Sequence, residues 1–426
     1  MKVLVVGGGG REHALAWKLS QSPLVDRLYC APGNPGIAEV AECVPIEANE
    51  VKGLLKFARQ QQVDFTVVGP EEPLVHGIAD AFRKEGLMIF GPSARAALLE
   101  GSKAFAKYLM RKHNIPSAQF KVFETIESAR AHAASLQPPF VLKADGLAAG
   151  KGVFVCHSME DAEQAIDLMM REKKFGAAGE HIVVEEFLQG EEASMLAVTD
   201  GRTILMLPSA QDHKPIFDGD RGPNTGGMGA CSPAPVIDDM VYDQVESEII
   251  LPAVHAMRVE ERDYNGVLYA GLMVTEEGPH VLEFNCRFGD PETQPILMRL
   301  KSDLLPTLLA CAEGRLDEAE MEWDERAAVC VVIASGGYPN AYSKGKVISG
   351  LDAACRLPDV QVFHAGTAFK NGQVVTSGGR VLGVTALGDT LRDAIDRAYQ
   401  AVRLIEFEGM HYRKDIGSRA LAHGTA

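Results

Sequence analysis

The residue types best suited to chemistry lie together in one short segment, from Val281 to Glu292. If this segment begins as a β-strand, its side chains alternate, so Glu283, Asn285 and Arg287 share one face. The other face is predicted to pack into the core through the residues between them, Leu282, Phe284 and Cys286. Two hard oxygen donors suit Mg²⁺, and the adjacent guanidinium suits an anion that shares the metal. The segment therefore predicts a metal–phosphate site, although an amphipathic strand with a polar outer face would give the same pattern.

The composition indicates a folded, acidic protein. The 426-residue chain is 46% hydrophobic and carries a formal net charge of -16, which predicts two to four domains and argues against nucleic acid or an anionic membrane as a partner. No apolar run reaches the roughly 18 residues needed to span a bilayer. The eight cysteines are scattered without C-x-x-C pairs, which predicts free thiols in a reducing compartment. We expect a cytoplasmic protein, with a monomer as the working expectation.

The first hundred residues alternate strand and helix patterns. Buried-strand patterns at 2–6, 65–69 and 87–90 predict a parallel sheet with ligands at the carboxyl ends of its strands. Glu71, at the exit of one strand, is a candidate for a sugar hydroxyl. A glycine run after the first strand can bring backbone N–H groups to a phosphate at a helix start. The substrate-binding candidates in that run are Gly8, Gly9 and Gly10. No acidic residue follows where a dinucleotide site would need one, so a dehydrogenase is disfavoured.

The stretch from Gly101 to Val155 predicts a unit that binds phosphate. A helix begins near Lys103, where the lysine opposes the helix dipole and is therefore unexpected without an anion. Two strands then enclose a loop of small residues, with Lys143 and Lys151 supplying positive charge. The loop glycines that would let backbone N–H groups approach oxygens are Gly150 and Gly152. Because glycine follows Lys151, the Walker A pattern does not fit and a P-loop fold is disfavoured.

Taken in order, these segments resemble the ATP-grasp superfamily of carboxylate-amine ligases. The resemblance rests on Lys103, Lys143, the loop at 146–152, Val184-Glu185-Glu186-Phe187-Leu188 and Glu283-Phe284-Asn285. Two longer segments, 211–230 and 283–294, resemble the glycine-ligating branch of the superfamily in purine biosynthesis. The resemblance implies an α/β and α+β multidomain protein, with an N-terminal parallel-sheet domain, an ATP-grasp fold and a C-terminal mixed α/β domain. The expected divisions are 1–102, 103–190, 191–325 and 326–426.

The resemblance also implies a reaction in which ATP phosphorylates glycine to glycyl phosphate, which 5-phosphoribosylamine then attacks. ATP and Mg²⁺ or Mn²⁺ would be required. The implied ATP-binding residues are Lys103, Lys143, Gly150, Lys151, Gly152, Glu185, Glu186, Leu188 and Glu192. The implied metal ligands are Glu283 and Asn285, and Arg287 would stabilise the acyl phosphate. The carboxylate that many relatives carry on the preceding strand falls near Gly271, so this sequence departs from them there and leaves open whether another group takes its place on the metal.

The segment from Asp212 to Ala230 is predicted to be a mobile loop that closes over the substrate and excludes water. Asp212 and Lys214 join Arg287 as catalytic candidates, with Asp212 or Glu71 also considered for ribose contacts. The further substrate-binding candidates are His213, Asn224, Thr225, Gly226, Gly227, Asp290, Arg413 and Lys414. Among these, Asp290 is predicted to bind the glycine ammonium, and Arg413 with Lys414 the 5-phosphate.

Two other kinds of function remain open from the sequence. Another ATP-grasp ligase, or a carboxylase of that superfamily, would use the same ATP-binding half with a different acceptor. A non-catalytic nucleotide sensor would bind ATP without turnover. The dependence of ADP release on glycine and phosphoribosylamine separates these alternatives.

Overall fold

The computed structural model describes residues 1–148 and 151–423. The strands of the first hundred residues are β1 (Lys2–Gly7), β2 (Arg27–Pro32), β3 (Glu42–Cys43), β4 (Phe65–Val68) and β5 (Ile89–Phe90). The helices are α1 (Gly10–Leu19), α2 (Val51–Gln61), α3 (Glu71–Val75), α4 (Ile78–Lys84) and α5 (Ala94–Gly101). The strands form a parallel sheet of order β3-β2-β1-β4-β5. The predicted parallel sheet is confirmed, but the expected strands lacked β2 and β3. Both begin with a charged residue, and β3 has only two residues.

The next unit contains the phosphate-binding patterns. Its elements are α6 (Lys103–Lys112), β6 (Phe120–Phe123), α7 (Ile126–Ala133), β7 (Phe140–Ala144), β8 (Val153–Cys156), α8 (Met159–Ile166) and β9 (Ile182–Glu186). They include an antiparallel sheet of order β6-β9-β7-β8. The predicted helix at Lys103 and the predicted hairpin are confirmed. Ser102 caps α6 by accepting a hydrogen bond from the Phe105 N–H, which places Lys103 in the first turn.

The central part of the chain carries the metal-site pattern. Its strands are β10 (Glu191–Thr199), β11 (Ile204–Met206), β12 (Gln211–Asp212), β13 (Pro215–Phe217), β14 (Arg221–Asn224), β15 (Gly229–Ser232), β16 (Gly266–Thr275) and β17 (Gly278–Asn285). Its helices are α9 (Asp239–Gln244), α10 (Leu251–Val259), α11 (Thr293–Arg299) and α12 (Leu304–Glu313). The main sheet has the order β11-β10-β16-β17. The segment 212–230 is a hairpin of β13 and β14 between two sheet strands, not the predicted loop.

The last unit is built on an antiparallel sheet with helices. Its elements are β18 (Ala327–Ser335), α13 (Leu351–Cys355), β19 (Val360–His364), β20 (Thr367–Lys370), β21 (Gln373–Thr376), β22 (Arg380–Gly388), α14 (Leu391–Val402), β23 (Met410–His411) and α15 (Ser418–Ala422). Its sheet has the order β12-β15-β18-β22-β19, with β23 paired to β18. Two strands from 211–232 therefore belong to the sheet of the last hundred residues, which ties the central hairpin to that unit.

Core packing separates the phosphate-binding unit from the rest. Its apolar core, which includes Phe140, Leu142 and Ile182, shares no residue with the other buried clusters. The N-terminal sheet and the β10–β17 sheet instead share two clusters. The eight cysteines are free, as predicted. Among the described residues, no helix combines the length and the apolar character needed to cross a membrane.

Candidate active site

One cavity of about 510 Å³ lies where all four parts of the chain meet. Most of the predicted site residues line it. These are Glu71, Lys103, Lys143, Lys151, Gly152, Glu185, Glu186, Leu188, Glu192, Asp212, Lys214, Asn224, Thr225, Gly226, Glu283, Asn285, Arg287 and Asp290. Gly150 lies outside the described residues. The roles of these side chains toward ligands stay predictions, but the fold brings side chains from distant segments to one place.

Strand β17 presents the metal-site pattern with one irregularity. Phe284 and Cys286 belong to the buried core, as predicted, while Glu283 and Asn285 line the cavity. Leu282 does not join the core, because the pairing of β16 with β17 shifts register at this point. Its side chain lines the cavity and its carbonyl accepts a hydrogen bond from Lys143 Nζ at 3.0 Å. The prediction for Leu282 was therefore wrong.

Arg287 is fixed between two carboxylates that come from the first hundred residues. Its Nε donates to Glu71 Oε2 at 3.1 Å, and its Nη2 lies 3.1 Å from Glu100 Oε1. The same Nη2 donates to Asn285 Oδ1 at 3.2 Å. Burial opposes ionisation of Glu71, but Arg287 and then Arg11 outweigh it and lower the pKa of Glu71 to about 2. Glu71 therefore holds a guanidinium in this structure, not the predicted sugar hydroxyl.

Glu283 is an ionised carboxylate in a strongly cationic setting. Burial by itself would raise its pKa, but Lys214 and then Lys103 outweigh that effect. Lys143 and Arg287 act in the same direction, so the pKa of Glu283 lies below its usual value. Gly271 is the cross-strand partner of Glu283, and a Cβ at Gly271 would lie 3.3 Å from Glu283 Cγ. The missing carboxylate of the relatives would thus have stood directly beside Glu283.

The phosphate-binding unit contributes lysines from a helix and a hairpin. Lys103 Nζ donates to the carbonyl of Gly146 at 3.0 Å, which ties the start of α6 to the hairpin tip. Lys143 Nζ donates to Glu185 Oε2 at 2.9 Å. Lys151 Nζ reaches across the cavity mouth and donates to the carbonyl of Pro339 at 3.1 Å. Lys151, just before β8, therefore connects the phosphate-binding unit to the last unit.

A buried acidic cluster forms the wall opposite β17. Lys214 Nζ donates to Glu192 Oε2 at 2.5 Å, so Glu192 is paired with a lysine and not free for the predicted ribose contact. Glu292 Oε1 accepts from Tyr269 Oη at 2.8 Å. Burial, and next the carboxylate of Glu292, raise the pKa of Asp212 well above its usual value. Asp212 and Glu292 therefore both line the cavity, where Lys214 lowers the pKa of Asp212 by less than burial and Glu292 raise it.

The last unit completes the cavity through Arg380 and Tyr338. Arg380 Nη1 donates to the carbonyls of Gly226 and Asp290, and its Nη2 lies 3.1 Å from Asp290 Oδ2. Asp290 Oδ1 accepts from Gln294 Nε2 at 2.9 Å. Both oxygens of Asp290 thus have protein partners in this structure, and its binding of the glycine ammonium stays a prediction. Tyr338 Oη accepts from the Gly226 N–H at 3.2 Å, so the glycine turn is held from two sides.

Three predicted substrate residues near the chain end lie away from the cavity. Arg413 is 1% exposed and forms ion pairs with Asp220 and Asp415, at 2.8 and 2.7 Å. Lys414 is exposed and does not line the cavity. His213 is fully buried and accepts a hydrogen bond from the Gly417 N–H. Arg413, Lys414 and His213 connect the segment 212–230 to residues 413–417. Asp220 and Asp415 occupy the Arg413 guanidinium, which explains why it does not reach the cavity.

The glycine run after β1 also lies away from the cavity wall. The Gly9 N–H at the start of α1 donates to Glu12 Oε2 at 2.7 Å, so this helix start is occupied by its own side chain. A Cβ at Gly8 would lie 2.6 Å from the carbonyl oxygen of Gly33, and one at Gly10 would lie 2.6 Å from Gln294 Nε2. Close packing explains Gly8, Gly9 and Gly10 better than the predicted phosphate contact.

Several cavity residues were missed from the sequence. They are Arg11, Glu100, Lys107, Tyr269, Glu292 and Tyr338. Lys107 carried a usable signal, since it lies one helical turn after Lys103 and therefore on the same face of α6. The other missed residues lie in segments whose sequence patterns indicate only that the segment is buried. Their approach to the cavity depends on how the four parts pack together.

The site combines a cavity, several lysines, a glycine-bearing hairpin and the carboxylate on β17. Together these features define an ATP-grasp ligase. Models of the phosphoribosylglycinamide synthetase family match the chain in three parts: the N domain at residues 1–100, the ATP-grasp (A) domain at 101–293 and the C domain at 328–419. The chain belongs to this phosphoribosylglycinamide synthetase family. The resemblance and the fold class predicted from the sequence are both confirmed.

Named relatives agree along the full length. A phosphoribosylamine–glycine ligase of Escherichia coli is 54% identical over 99% of both chains. One of Caldanaerobacter subterraneus is 51% identical over 98% of this chain and 100% of its own. The crystal structure of a phosphoribosylamine–glycine ligase from Thermotoga maritima superposes with a TM-score of 0.84 at 36% identity, covering 98% of this chain and 100% of that chain. A biotin carboxylase from Campylobacter jejuni superposes at 0.74 with 14% identity, covering 96% of this chain and 92% of that chain, which shows a shared fold alone.

Proposed function

We propose that the protein joins glycine to 5-phosphoribosylamine at the expense of ATP, giving glycinamide ribonucleotide, ADP and phosphate. The observation that carries the proposal is the meeting of Lys103, Lys143, Glu283 and Arg287 in one cavity of a chain from this family. A carboxylate is a poor electrophile. Transfer of the γ-phosphoryl group to a glycine oxygen makes glycyl phosphate, and attack by the amine expels phosphate that retains that oxygen.

The cavity cations suit this chemistry, which depends on positioning and on neutralising charge in transit. Lys103 and Lys143 would contact the phosphates of ATP. Arg287, already oriented by Glu71 and Glu100, would face the acyl phosphate without having to reorganise. Lys151 bridges to the carbonyl of Pro339 at the cavity, and this contact would help to exclude water that hydrolyses the intermediate.

Glu283 and Asn285 fit a divalent metal as oxygen donors. Glu283 is held ionised by its cationic surroundings, and Asn285 Oδ1 has a second lone pair beside the one used by Arg287. Among the described residues, no group of three or more His, Cys, Asp or Glu side chains could hold a metal by itself. That limit suits Mg²⁺ or Mn²⁺, which shares its coordination sphere with phosphate oxygens and water. When bound, such an ion neutralises charge on the phosphates.

For the glycine ammonium, Asp212 and Glu292 are better candidates than Asp290. Burial and then the carboxylate of Glu292 raise the pKa of Asp212, and a cation beside Asp212 would relieve that repulsion. Asp290 is already paired with Arg380. Asn224 and Thr225, which line the same wall, would contribute polar contacts to the acceptor.

The test is the substrate dependence of ADP release, with the fate of the carboxylate oxygen as the mechanistic readout. We expect ADP only when glycine and 5-phosphoribosylamine are both present, and ¹⁸O from the glycine carboxylate in the released phosphate. ADP formation with bicarbonate would identify a carboxylase. Nucleotide binding without turnover under any substrate combination would identify a sensor. Turnover without ¹⁸O transfer would exclude glycyl phosphate.

A further inference from the structure

A second lysine lies one helical turn behind the predicted phosphate lysine and faces the same cavity. Lys107 is 2% exposed, and its Nζ lies 2.9 Å from Glu185 Oε2. Lys143 Nζ donates to that same oxygen at 2.9 Å. One carboxylate oxygen therefore serves two ammonium groups in a buried setting. A single lysine would be enough to neutralise Glu185, so the second requires another explanation.

Two polar atoms of this cluster are buried without a hydrogen-bond partner among the described residues. They are Lys107 Nζ, which approaches Glu185 outside hydrogen-bonding geometry, and Glu185 Oε1. Buried polar atoms are nearly always hydrogen-bonded, and an unpaired one lowers stability. Both residues line the cavity. Lys107 Nζ still has donors to spare beside its ion pair with Glu185 Oε2, and Glu185 Oε1 next to it has no partner, so together they point to a ligand that offers an acceptor beside a donor.

The walls next to this pair suit a flat aromatic ring. Val155 and Phe187 are partly exposed at the cavity, and Met273 and Leu282 line it as well. Adenine places an amino donor beside a ring-nitrogen acceptor on either edge that carries the 6-amino group. Hypoxanthine and guanine place a carbonyl there, which a carboxylate oxygen repels.

We propose that Lys107 is a specificity-determining residue for the nucleotide base. Its ammonium donates to a ring nitrogen and, with Lys143, keeps Glu185 ionised with Oε1 directed at the exocyclic amino group. The ligand class is a 6-aminopurine nucleotide, and the inference rests on the proposed use of ATP. Lys143 is then shared between the base site and the phosphates, whereas Lys107 serves the base alone.

The charge of Lys107 is sensitive to pH in the neutral to alkaline range. Burial lowers its pKa to about 8, with Lys143 acting in the same direction and Glu185 against it. The charged groups that face it are Lys143 on β7 and Glu185 and Glu186 on β9, and Lys103 precedes it on α6. Above pH 8 the ammonium is lost, and the affinity for ATP should fall with it.

The experiment compares ATP with ITP, which differ at the 6-position of the base, in the full-length enzyme and in Lys107→Met and Lys107→Arg. We expect Lys107→Met to raise the KM for ATP about 10-fold, while kcat stays within about threefold of the original value. The ratio of kcat/KM for ATP to kcat/KM for ITP should fall about 10-fold. Lys107→Arg should keep the preference for ATP over ITP. Its KM for ATP should not rise above pH 8. Lys107→Met leaves the Lys143–Glu185 pair intact, and Lys107→Gln provides a second variant if it fails to fold.

Titrations of ADP and IDP by calorimetry separate this proposal from the proposed function, because they need no turnover. A tenfold loss of ADP affinity in Lys107→Met, with IDP unchanged, supports the base contact even in an enzyme that fails to ligate glycine. An unchanged ADP affinity and an unchanged ATP/ITP ratio in Lys107→Met would overturn it. A loss of kcat with KM unchanged would assign Lys107 to the phosphates and overturn it as well.

Discussion

At the scale of single residues, ion pairs decide which charged side chains are available to a ligand. Glu283 has neighbouring cations. Within the described part of the chain its carboxylate accepts no hydrogen bond, so it can still bind a metal. Glu71, Asp290 and Arg413 have direct protein partners and are held by them. By residue type and spacing alone, all four side chains are equally good candidates for binding a ligand. Only their partners in the structure show which side chain can bind a ligand and which are held by other residues.

Glu283→Gln tests the metal site directly. Removing the charge should lower turnover about 100-fold or more at limiting Mg²⁺, because a neutral amide binds a hard cation poorly. Thermal unfolding should change little, since Glu283 lies on the cavity face of β17. Turnover is measured against Mg²⁺ concentration, with Glu277→Gln as control, since Glu277 is exposed at the turn before the same strand. Near-normal turnover at limiting Mg²⁺ would remove Glu283 from the metal site.

Arg413→Ala should destabilise the protein without affecting substrate affinity. The change removes the guanidinium paired with Asp415 and leaves Asp220 only its longer ion pair with Arg419, at 3.5 Å. This should cost about 2–3 kcal/mol, because both carboxylates remain partly exposed. Urea unfolding gives the stability, and the KM for phosphoribosylamine gives the affinity. Lys414→Ala, at the exposed neighbouring residue, is the control and should change neither. A raised KM with normal stability would restore the phosphate role predicted from the sequence.

At the scale of elements, the segment 212–230 is predicted to be a mobile loop but forms a hairpin whose ends are paired into a β-sheet. The glycine-rich sequence predicts a loop, but β12 and β15 pair with each other and β15 pairs with β18. The pairing to β18 tethers both ends of the hairpin to the last unit. Its Gly226–Gly227 turn is then held by Arg380 and Tyr338. Pairing between residues about a hundred positions apart has no signature in local sequence.

Gly227→Ala should reduce activity more than stability. Gly227 has a φ of 113°, and a Cβ there would lie 2.4 Å from Pro291 Cδ and 2.7 Å from Asp212 Oδ1. The collision displaces Asp212, so we expect turnover to fall at least about tenfold. Gly219→Ala is the matched control, because its φ of 69° is also positive but its nearest contact is 3.8 Å away at Arg221. Both variants should lose about 1 kcal/mol from backbone strain. Equal turnover in the two would contradict the role of the turn.

At the scale of the whole molecule, the first and last units meet through a buried pair of histidines. His13 Nδ1 accepts a hydrogen bond from the His364 N–H at 2.7 Å, and the two rings are 5.7 Å apart. Burial lowers the pKa of His13 to about 3, helped by His364, and burial lowers the pKa of His364 to about 4. Both rings are therefore neutral in the folded protein at physiological pH. The contact between the units depends on that neutrality.

Acid should weaken the fold from about pH 6.5 downward. The unfolded chain binds a proton at each histidine below about pH 6.5, while the folded protein does so only near pH 3 to 4. Stability therefore falls across this window, by about 2 kcal/mol per histidine between pH 7 and pH 5. His13→Gln keeps an acceptor for the His364 N–H and should reduce the loss, as measured by urea unfolding at both pH values. His255→Gln, on the exposed face of α10, should leave the loss unchanged. A loss equal in all three proteins would exclude His13 as its source.

The sequence by itself determined the parallel sheet, the α6 helix start, the β7–β8 hairpin and the cavity face of β17. These features arise from local periodicity, capping and turn chemistry, which short segments carry within themselves. Tertiary structure alone decided that Glu71 and Glu100 hold Arg287, that Arg380 engages Asp290, and that Arg413 lies away from the cavity. It also placed Lys107 and Lys143 on one carboxylate. The physical reason is that a charged side chain takes the nearest opposite charge in space, and that neighbour is set by how distant elements pack together.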